Sequence, residues 1–356
     1  MLTFYPDALK IRFIPYTSLI RPSMHNYFLY MIFSLFLCNT ALNAQETSHP
    51  LQGEIWHVSA QKFITEKEMM RKIKHSRYIL LGGRHGNKDH HLLQARLIKM
   101  LSRQGRPISL SLEMVERHKQ NAFAIFQQNQ QIKAQKNSGP WPGPVSPANA
   151  DGLEILLNWN KSGWPRWAVY KPLFDAAIQN DFSLWAANFS RHEVGKMHQD
   201  GLEALPEDLK ADLRPLLRQP LTKEQQAALE KNIAQAHCHM LPQNNLHRFA
   251  DIERARHAAF ALSMIKGIQA DHMQAGGSAT ALLIASNDHL HRNRAVPYFL
   301  RKLDPQGKNA SLAIMALSTD KKHATDYIQK SNAEHRPYDY IWFTSEKRND
   351  PCAGLE

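Results

Sequence analysis

A chain of 356 residues is long enough for one large domain, or for one domain carrying a sizeable subdomain. With 43% hydrophobic residues, seven Trp and fifteen Phe, its composition supports a real core and excludes an intrinsically disordered chain. The 44 Lys+Arg outweigh the 32 Asp+Glu by +12, which suits anionic partners such as lipid headgroups or a carboxylate-bearing ligand. These cations are spread along the chain with no basic arm or basic helix, so they read as a solvated surface and no nucleic-acid partner is expected.

The first segment reads as a targeting signal. Residues 27–37 (YFLYMIFSLFL) form an apolar run, with Lys10, Arg12 and Arg21 upstream and a small-polar stretch ending in Ala44. A membrane span needs about 20 apolar residues, so this run is too short to cross a bilayer and matches the core of a secretory signal. Residues 1–44 are therefore expected to be a signal peptide, starting at Met1 or Met24, with residues 45–356 as an exported, periplasmic α/β domain. Cys38 invites a lipid anchor, but Leu37 before it is larger than a lipidation site favours. After processing only Cys238 and Cys352 remain, and two cysteines in an oxidising compartment are expected to pair.

Along the mature chain, residues 78–82 (YILLG) read as a buried strand ending in Gly. After a turn, Asp89 is expected to cap a helix whose apolar face is Leu92, Leu93, Leu97, Met100 and Leu101. Gly105 and Pro107 stop it, and residues 108–113 give the next strand, so the three form a βαβ unit with parallel strands. A helix follows to about Gln131. The Pro/Gly/Ser-rich stretch 133–150 is a loop too long for a mere connector. Helices near 151–160 and 171–180 flank a Trp-rich turn, and 183–188 is a third strand. Residues 191 to about 270 read as a helical, polar insertion. Three more strands are expected at 281–286, 312–317 and 340–344, and no internal repeat interrupts the pattern. The fold class is α/β, a largely parallel sheet with helices on both faces and a helical insertion or subdomain.

Ligands in open parallel sheets bind beyond the carboxyl ends of the strands. There this sequence places His85 (in GGRH), Glu113, Asn188 and His289 (in SNDH), four polar side chains at four strand ends. A single histidine in such a place is more often a satisfied structural residue than a ligand, and it is the convergence of four that points to function. Asp89-His90-His91 reads as a helix cap with surface histidines, because adjacent helical residues point about 100° apart and chelate one metal poorly. His237-Cys238-His239 lacks a second cysteine pair and makes a weak zinc candidate. Trp141, Trp159, Trp164 and Trp167 read as core and loop packing, with a ligand-stacking wall as the alternative. A P-loop, a dinucleotide fingerprint and a Gly-x-Ser-x-Gly elbow are all missing from the sequence.

Five blocks in order carry a resemblance over about residues 50–356. They are LLGGRHGNKDHHLLQ from Leu80, Ser111-Leu112-Glu113-Met114 with Gln120, Tyr170-Lys171-Pro172-Leu173 with Ala187-Asn188, Ser286-Asn287-Asp288-His289 with Arg294 to Pro297, and DYIWFT from Asp339 with Asp350-Pro351-Cys352. The pattern resembles the ChaN-like haem-binding family, within the clan of Gly-x-x-His proteins that includes TIKI-type metal-dependent proteases and erythromycin-esterase-like enzymes. The resemblance implies an exported haem-binding protein tied to haem or iron acquisition, with haem as cofactor, an outer-membrane uptake receptor as a partner and a homodimer as a linked possibility. Candidate haem contacts are Tyr170, Lys171, His85, Asn188, His289 and Arg294, with iron taken by Tyr170 or His85 and a propionate met by Lys171.

The clan's alternative, a metal-dependent hydrolase, would use His85, Glu113 and His289. Gly83 stands where that clan carries a Glu, and Ser286 and Asp288 replace two glycines near His289, while His257 aligns loosely with an Asp. Losing the carboxylate at 83 weakens hydrolysis more than ligand binding, so the three residues are expected to be vestigial as catalysts.

Overall fold

The apolar runs that mark the strands are apolar on both sides, and strands buried on both faces belong in a sheet covered by two helical layers. The computed structural model, which describes residues 49–135, 148–275, 279–328, 336–345 and Cys352, has that architecture. An eight-stranded sheet runs β2-β1-β8-β7-β3-β6-β4-β5, where β1 is Ile55–His57, β2 Lys62–Ile64, β3 Tyr78–Leu81, β4 Ile108–Glu116, β5 Ser183–Asn188, β6 Thr280–Ile284, β7 Asn309–Ala316 and β8 Tyr340–Thr344. From β8 to β5 every neighbouring pair is parallel, and at the other edge β1 pairs antiparallel with both β8 and β2. The expected signal segment 1–44, Trp141 and most of the 133–150 loop lie outside the described residues.

The helices are α1 (Glu66–Ile73), α2 (Lys88–Ser102), α3 (Gln120–Gln135), α4 (Ala150–Leu157), α5 (Trp167–Gln179), α6 (Arg191–Asp200), α7 (Glu207–Leu217), α8 (Lys223–Ala236), α9 (Leu246–Ala275) and α10 (Val296–Leu303). Period-two alternation of each strand sorts them into layers. Ile79 and Leu81 of β3 with Leu110 and Leu112 of β4 pack under α1 to α5, whereas Leu80, Ala281, Leu283 and Ile341 pack under α6, α7, α9 and α10. The helical stretch from 191 is thus continuous with one face of the sheet, since α9 lies on β4, β5 and β6, while α8 packs on α9 around Leu229, Ile233 and Ala250.

Three local readings change. Helix α2 begins two residues earlier than expected: Asn87, not Asp89, is its cap, its side chain accepting from the Asp89 N–H. Its buried face includes His90, His91, Gln94, Leu97, Ile98 and Leu101, and Leu92 is exposed. Helix α5 starts at Trp167 rather than near 171, so Tyr170 and Lys171 sit in its first turns, ahead of Pro172. Strands β3 and β4, joined by α2, are parallel but not neighbours, because β6 lies between them.

That last feature positions the site. The helix that follows β3 packs on one face of the sheet and the helix that follows β6 on the other, so β3 and β6 form a switch point, the place beyond whose strand ends such sheets form their ligand crevice. The approach is very close. A Cβ on Gly82 would overlap the Asn287 side-chain oxygen and come within 2.9 Å of Leu290 Cδ2. Asn287 cannot swing away cheaply, since its Nδ2 donates to the Ile314 carbonyl at 2.9 Å. Gly82→Ala is therefore expected to destabilise the domain by about 1–3 kcal/mol, the usual cost of overpacking, checked by the urea midpoint. An unchanged midpoint would mean that the two turns are looser than they look.

Candidate functional site

Four of the residues singled out from sequence converge at the β3/β6 crevice. Glu113 lies in β4, where pairing with β5 shifts register after Leu112, and is only 4% exposed. One carboxylate oxygen meets His85 Nε2 at 3.0 Å and accepts from the Ser286 N–H at 2.6 Å. The other meets His289 Nε2 at 3.0 Å and Arg256 Nη2 at 3.5 Å. Asn188, ending β5, donates to the Glu113 carbonyl and accepts from Arg256 Nε at 3.1 Å. Arg256 in turn donates to Glu253 Oε2 at 2.9 Å. The result is a chain of buried polar groups, His85–Glu113–His289–Glu253, with one guanidinium along its flank.

The charges balance within it. Burial opposes ionisation of Glu113, but the charges of His289 and His85 and their hydrogen bonds outweigh it and hold the carboxyl well below the ordinary range. Burial opposes ionisation of Glu253 too, but Arg256 and His289 outweigh it and hold the group at about 2. His289 is raised, since the two carboxylates overcome the burial that would neutralise it. His257, 1% exposed, is lowered to about 3, chiefly by burial, and is a neutral imidazole. Neither His257 nitrogen has a hydrogen-bond partner.

His85 is the most open of the histidines here, its side chain 17% exposed. With Nε2 on Glu113, its Nδ1 has no partner, and the Trp164 ring lies on the imidazole at 4.5 Å between centroids. Among the described tryptophans of this region, Trp159 and Trp167 are core residues packed on Phe174 and on one another, and Trp164 is the one that touches His85. Beneath His85 the expected surface histidines are both buried, which corrects the sequence reading. His90 Nδ1 accepts from the Arg84 N–H, and His91 bridges Gln94 Oε1 and the His85 carbonyl, so the pair pins the β3–α2 turn. Burial lowers His91 to about 4.

Tyr170 packs against His91 with ring centroids 4.3 Å apart and planes tilted by 40°, fully buried, and its hydroxyl has no partner. Burial first, and then the charge of Glu113, raises that hydroxyl above its ordinary value. Lys171 points away from the crevice and pairs with Asp151 and Asp175 at 3.2–3.3 Å. Arg294 is buried behind His257 and Asp288, one guanidinium nitrogen unpartnered, and burial lowers its pKa. Cys238 and Cys352 form a disulfide. Arg256 and Glu253 were missed from sequence, and the one available signal was the i, i+3, i+4 spacing of Glu253, Arg256 and His257 in a helical stretch that also carries Asp251 and Arg254.

Position 83, where the clan's Glu is replaced, is tightly enclosed. A Cβ there would lie 2.9 Å from Gln94 Nε2 and 3.3 Å from His90 Cβ, and that Nε2 already donates to the Gly82 carbonyl. A carboxylate at 83 would have to displace it.

Comparison with known proteins places this geometry. A family model described as haem-binding uptake, Tiki superfamily, ChaN, matches residues 69–300, more than half of the chain. Among solved structures, the fold is similar to ChaN of Campylobacter jejuni, a structure of cofacial haem binding, at 18% identity with a TM-score of 0.57, covering 81% of this chain and 95% of that one. More distant likenesses are an erythromycin esterase, EreC, in an open conformation (12% identity, TM-score 0.36, 84% and 98% covered) and the type III effector HopBA1 (10%, 0.41, 78% and 92%). Among curated proteins no match is found.

Proposed function

The chain belongs to the ChaN family of haem-binding uptake proteins in the Tiki superfamily, and from that premise we propose that it binds haem at the β3/β6 crevice. The observation that carries this reading to particular residues is His85. It combines a carboxylate on one ring nitrogen, an unpartnered second nitrogen and an aromatic ring packed against it at a tilt. A histidine that ligates iron is commonly oriented and made more basic by a carboxylate on its other nitrogen, which is how Glu113 is placed. Haem would supply a ferric or ferrous iron with an open axial position. Trp164 lies where a ring must move aside to uncover Nδ1 and where it would then cover a porphyrin face. Arg84 and Lys88, exposed in the same turn, suit its carboxylates.

Tyr170 fits less well, because its hydroxyl is sealed beneath the His85–His91 layer. Asn188 and His289 hold Glu113 rather than reach outward, and Lys171 would have to leave Asp151 and Asp175 to meet a propionate. Export through residues 1–44, a periplasmic location, a part in haem or iron acquisition with an outer-membrane receptor, and a homodimer covering exposed haem faces complete the proposal. Position 83 gives the hydrolase alternative no carboxylate and no room for one.

Haemin titration of wild type, His85→Ala, Tyr170→Phe and His289→Ala tests the reading. Wild type and Tyr170→Phe should give the same saturable, one-to-one Soret shift, and His85→Ala should lose at least tenfold in affinity, the scale on which a metal site responds even to its supporting residues. Loss in Tyr170→Phe with retention in His85→Ala would move the iron to Tyr170. A wild-type spectrum identical to free haemin would remove haem from the function altogether.

A further inference from the structure

Behind the crevice lies a second constellation that the haem reading does not use. Glu253 and His257 are one turn apart on α9, and His289 follows β6. One ligand atom from each lies within 4.8 Å of the others. Glu253 divides its oxygens: Oε2 takes Arg256, and Oε1 faces His289 Nδ1 at 3.2 Å and His257 Nε2 at 3.6 Å. Neither of those nitrogens makes an aligned hydrogen bond, and the second His257 nitrogen is unpartnered too. A buried imidazole with no partner at either nitrogen loses its hydration for nothing in return, which calls for an explanation.

The geometry points to a binding site for one divalent transition-metal ion, held by Glu253, His257 and His289. Atoms bonded to a common ion at about 2.0–2.2 Å stand about 3.3–3.6 Å apart in a tetrahedron. Both distances from Glu253 Oε1 already fall close to that spacing. Two imidazoles and one carboxylate favour zinc, iron(II) or cobalt(II) over calcium and magnesium, which prefer all-oxygen shells. His289 is also supported as a ligand should be, its Nε2 resting on the Glu113 carboxylate, so that Nδ1 turns toward the ion. In the empty state the Nδ1 proton of His289 faces Glu253, and the ion takes the place of that proton, which leaves to solvent. Three protein ligands leave a coordination position for water or an anionic ligand. Arg256 and Arg294 nearby favour an anion there and weaken the cation's hold. The two sites share His289, but Glu253 and His257 are not among the candidate haem contacts, so their variants separate metal binding from haem binding.

The test uses the full processed chain, stripped with chelator and titrated with Zn²⁺, Co²⁺ and Mg²⁺. Wild type and His85→Ala should each take up one Zn²⁺ or Co²⁺ per chain and ignore Mg²⁺, with Co²⁺ giving the intense visible bands of a low-symmetry site. His257→Gln and Glu253→Gln should bind at least tenfold more weakly, with folding checked by circular dichroism. X-ray absorption of zinc-loaded wild type, which needs no variant, should show two imidazoles on the metal. Absence of stoichiometric uptake by wild type, a zinc shell with fewer than two imidazoles, or wild-type affinity in a folded His257→Gln would each overturn the assignment.

Discussion

Glu113→Ala is expected to destabilise the domain by about 3–5 kcal/mol, the cost of removing one partner from a buried ion pair. Four groups converge on this carboxylate: His85, His289, the Ser286 N–H and Arg256. Without it Ser286 loses a buried acceptor, and His289 and Arg256 are left to share Glu253. The unpaired charge accounts for most of the loss, with no single lost bond dominating. Glu113→Gln keeps the shape and one acceptor but turns an amide N–H₂ toward a histidine, and should lose about 1.5–3 kcal/mol, the worth of a hydrogen bond to a charged group. The control is Glu116→Ala on the same strand. That carboxylate pairs with the half-exposed His118, so its loss should fall within about 1 kcal/mol. Urea midpoints of the three variants and wild type, measured with chelator so that no bound ion contributes, give the ranking Ala, Gln, control. Equal midpoints for Glu113→Ala and Glu116→Ala would show that the cluster does not hold the crevice together.

The sequence exposed this cluster unevenly, for reasons that particular residues make clear. The six long strands were legible because a parallel strand buried on both faces has to be apolar throughout, as YILL and TALLI are. Strands β1 and β2 were not, since IWH and KFI are too short to show any period and gain their pairing from the β8 edge. Strand-end polarity was a sound guide to His85, Glu113, Asn188 and His289, because topology alone brings the ends of parallel strands together. Burial of His90 and His91 could not be read. Apart from Gln94 on the same helix, their partners include backbone groups of the Arg84–His85 turn and Thr344, a side chain more than 250 residues away in sequence. Nor could Glu253 and Arg256 be assigned, as a charged pair on a helix normally faces water. Only the packing of α9 across β4 and β5 turns them inward. Tyr170 illustrates the reverse. Its motif resemblance drew attention to it as a candidate haem contact, and the first turn of α5 buries its side chain fully.

Opening the Cys238–Cys352 disulfide should cost about 4–5 kcal/mol, the chain-entropy value for a closed loop of this length. The two residues are 114 apart in sequence, and everything from α9 through β8 lies between them. Cys238 is set for pairing by the end of α8, independently of the bond. It and His239 both adopt left-handed backbone, and the helix is closed by the Cys238 N–H on the Gln235 carbonyl and the His239 N–H on the Ala234 carbonyl. The cross-link therefore acts mainly on the unfolded chain, whose freedom it restricts, and it also ties α8, which packs chiefly on α9, to the segment beyond β8. Two observables separate these effects. If the unfolded chain is the main target, reduction lowers the urea midpoint and steepens its denaturant dependence, because a longer free chain exposes more surface. If the tether mainly holds α8 in place, hydrogen exchange speeds up in α8 and along the N-terminal turns of α9 while the rest of the domain keeps its protection. Double replacement, Cys238→Ser with Cys352→Ser, should reproduce the reduced protein. Two freely alkylated thiols in the native, unreduced chain, or equal midpoints with and without reductant, would show that the cross-link contributes nothing to the stability of this fold.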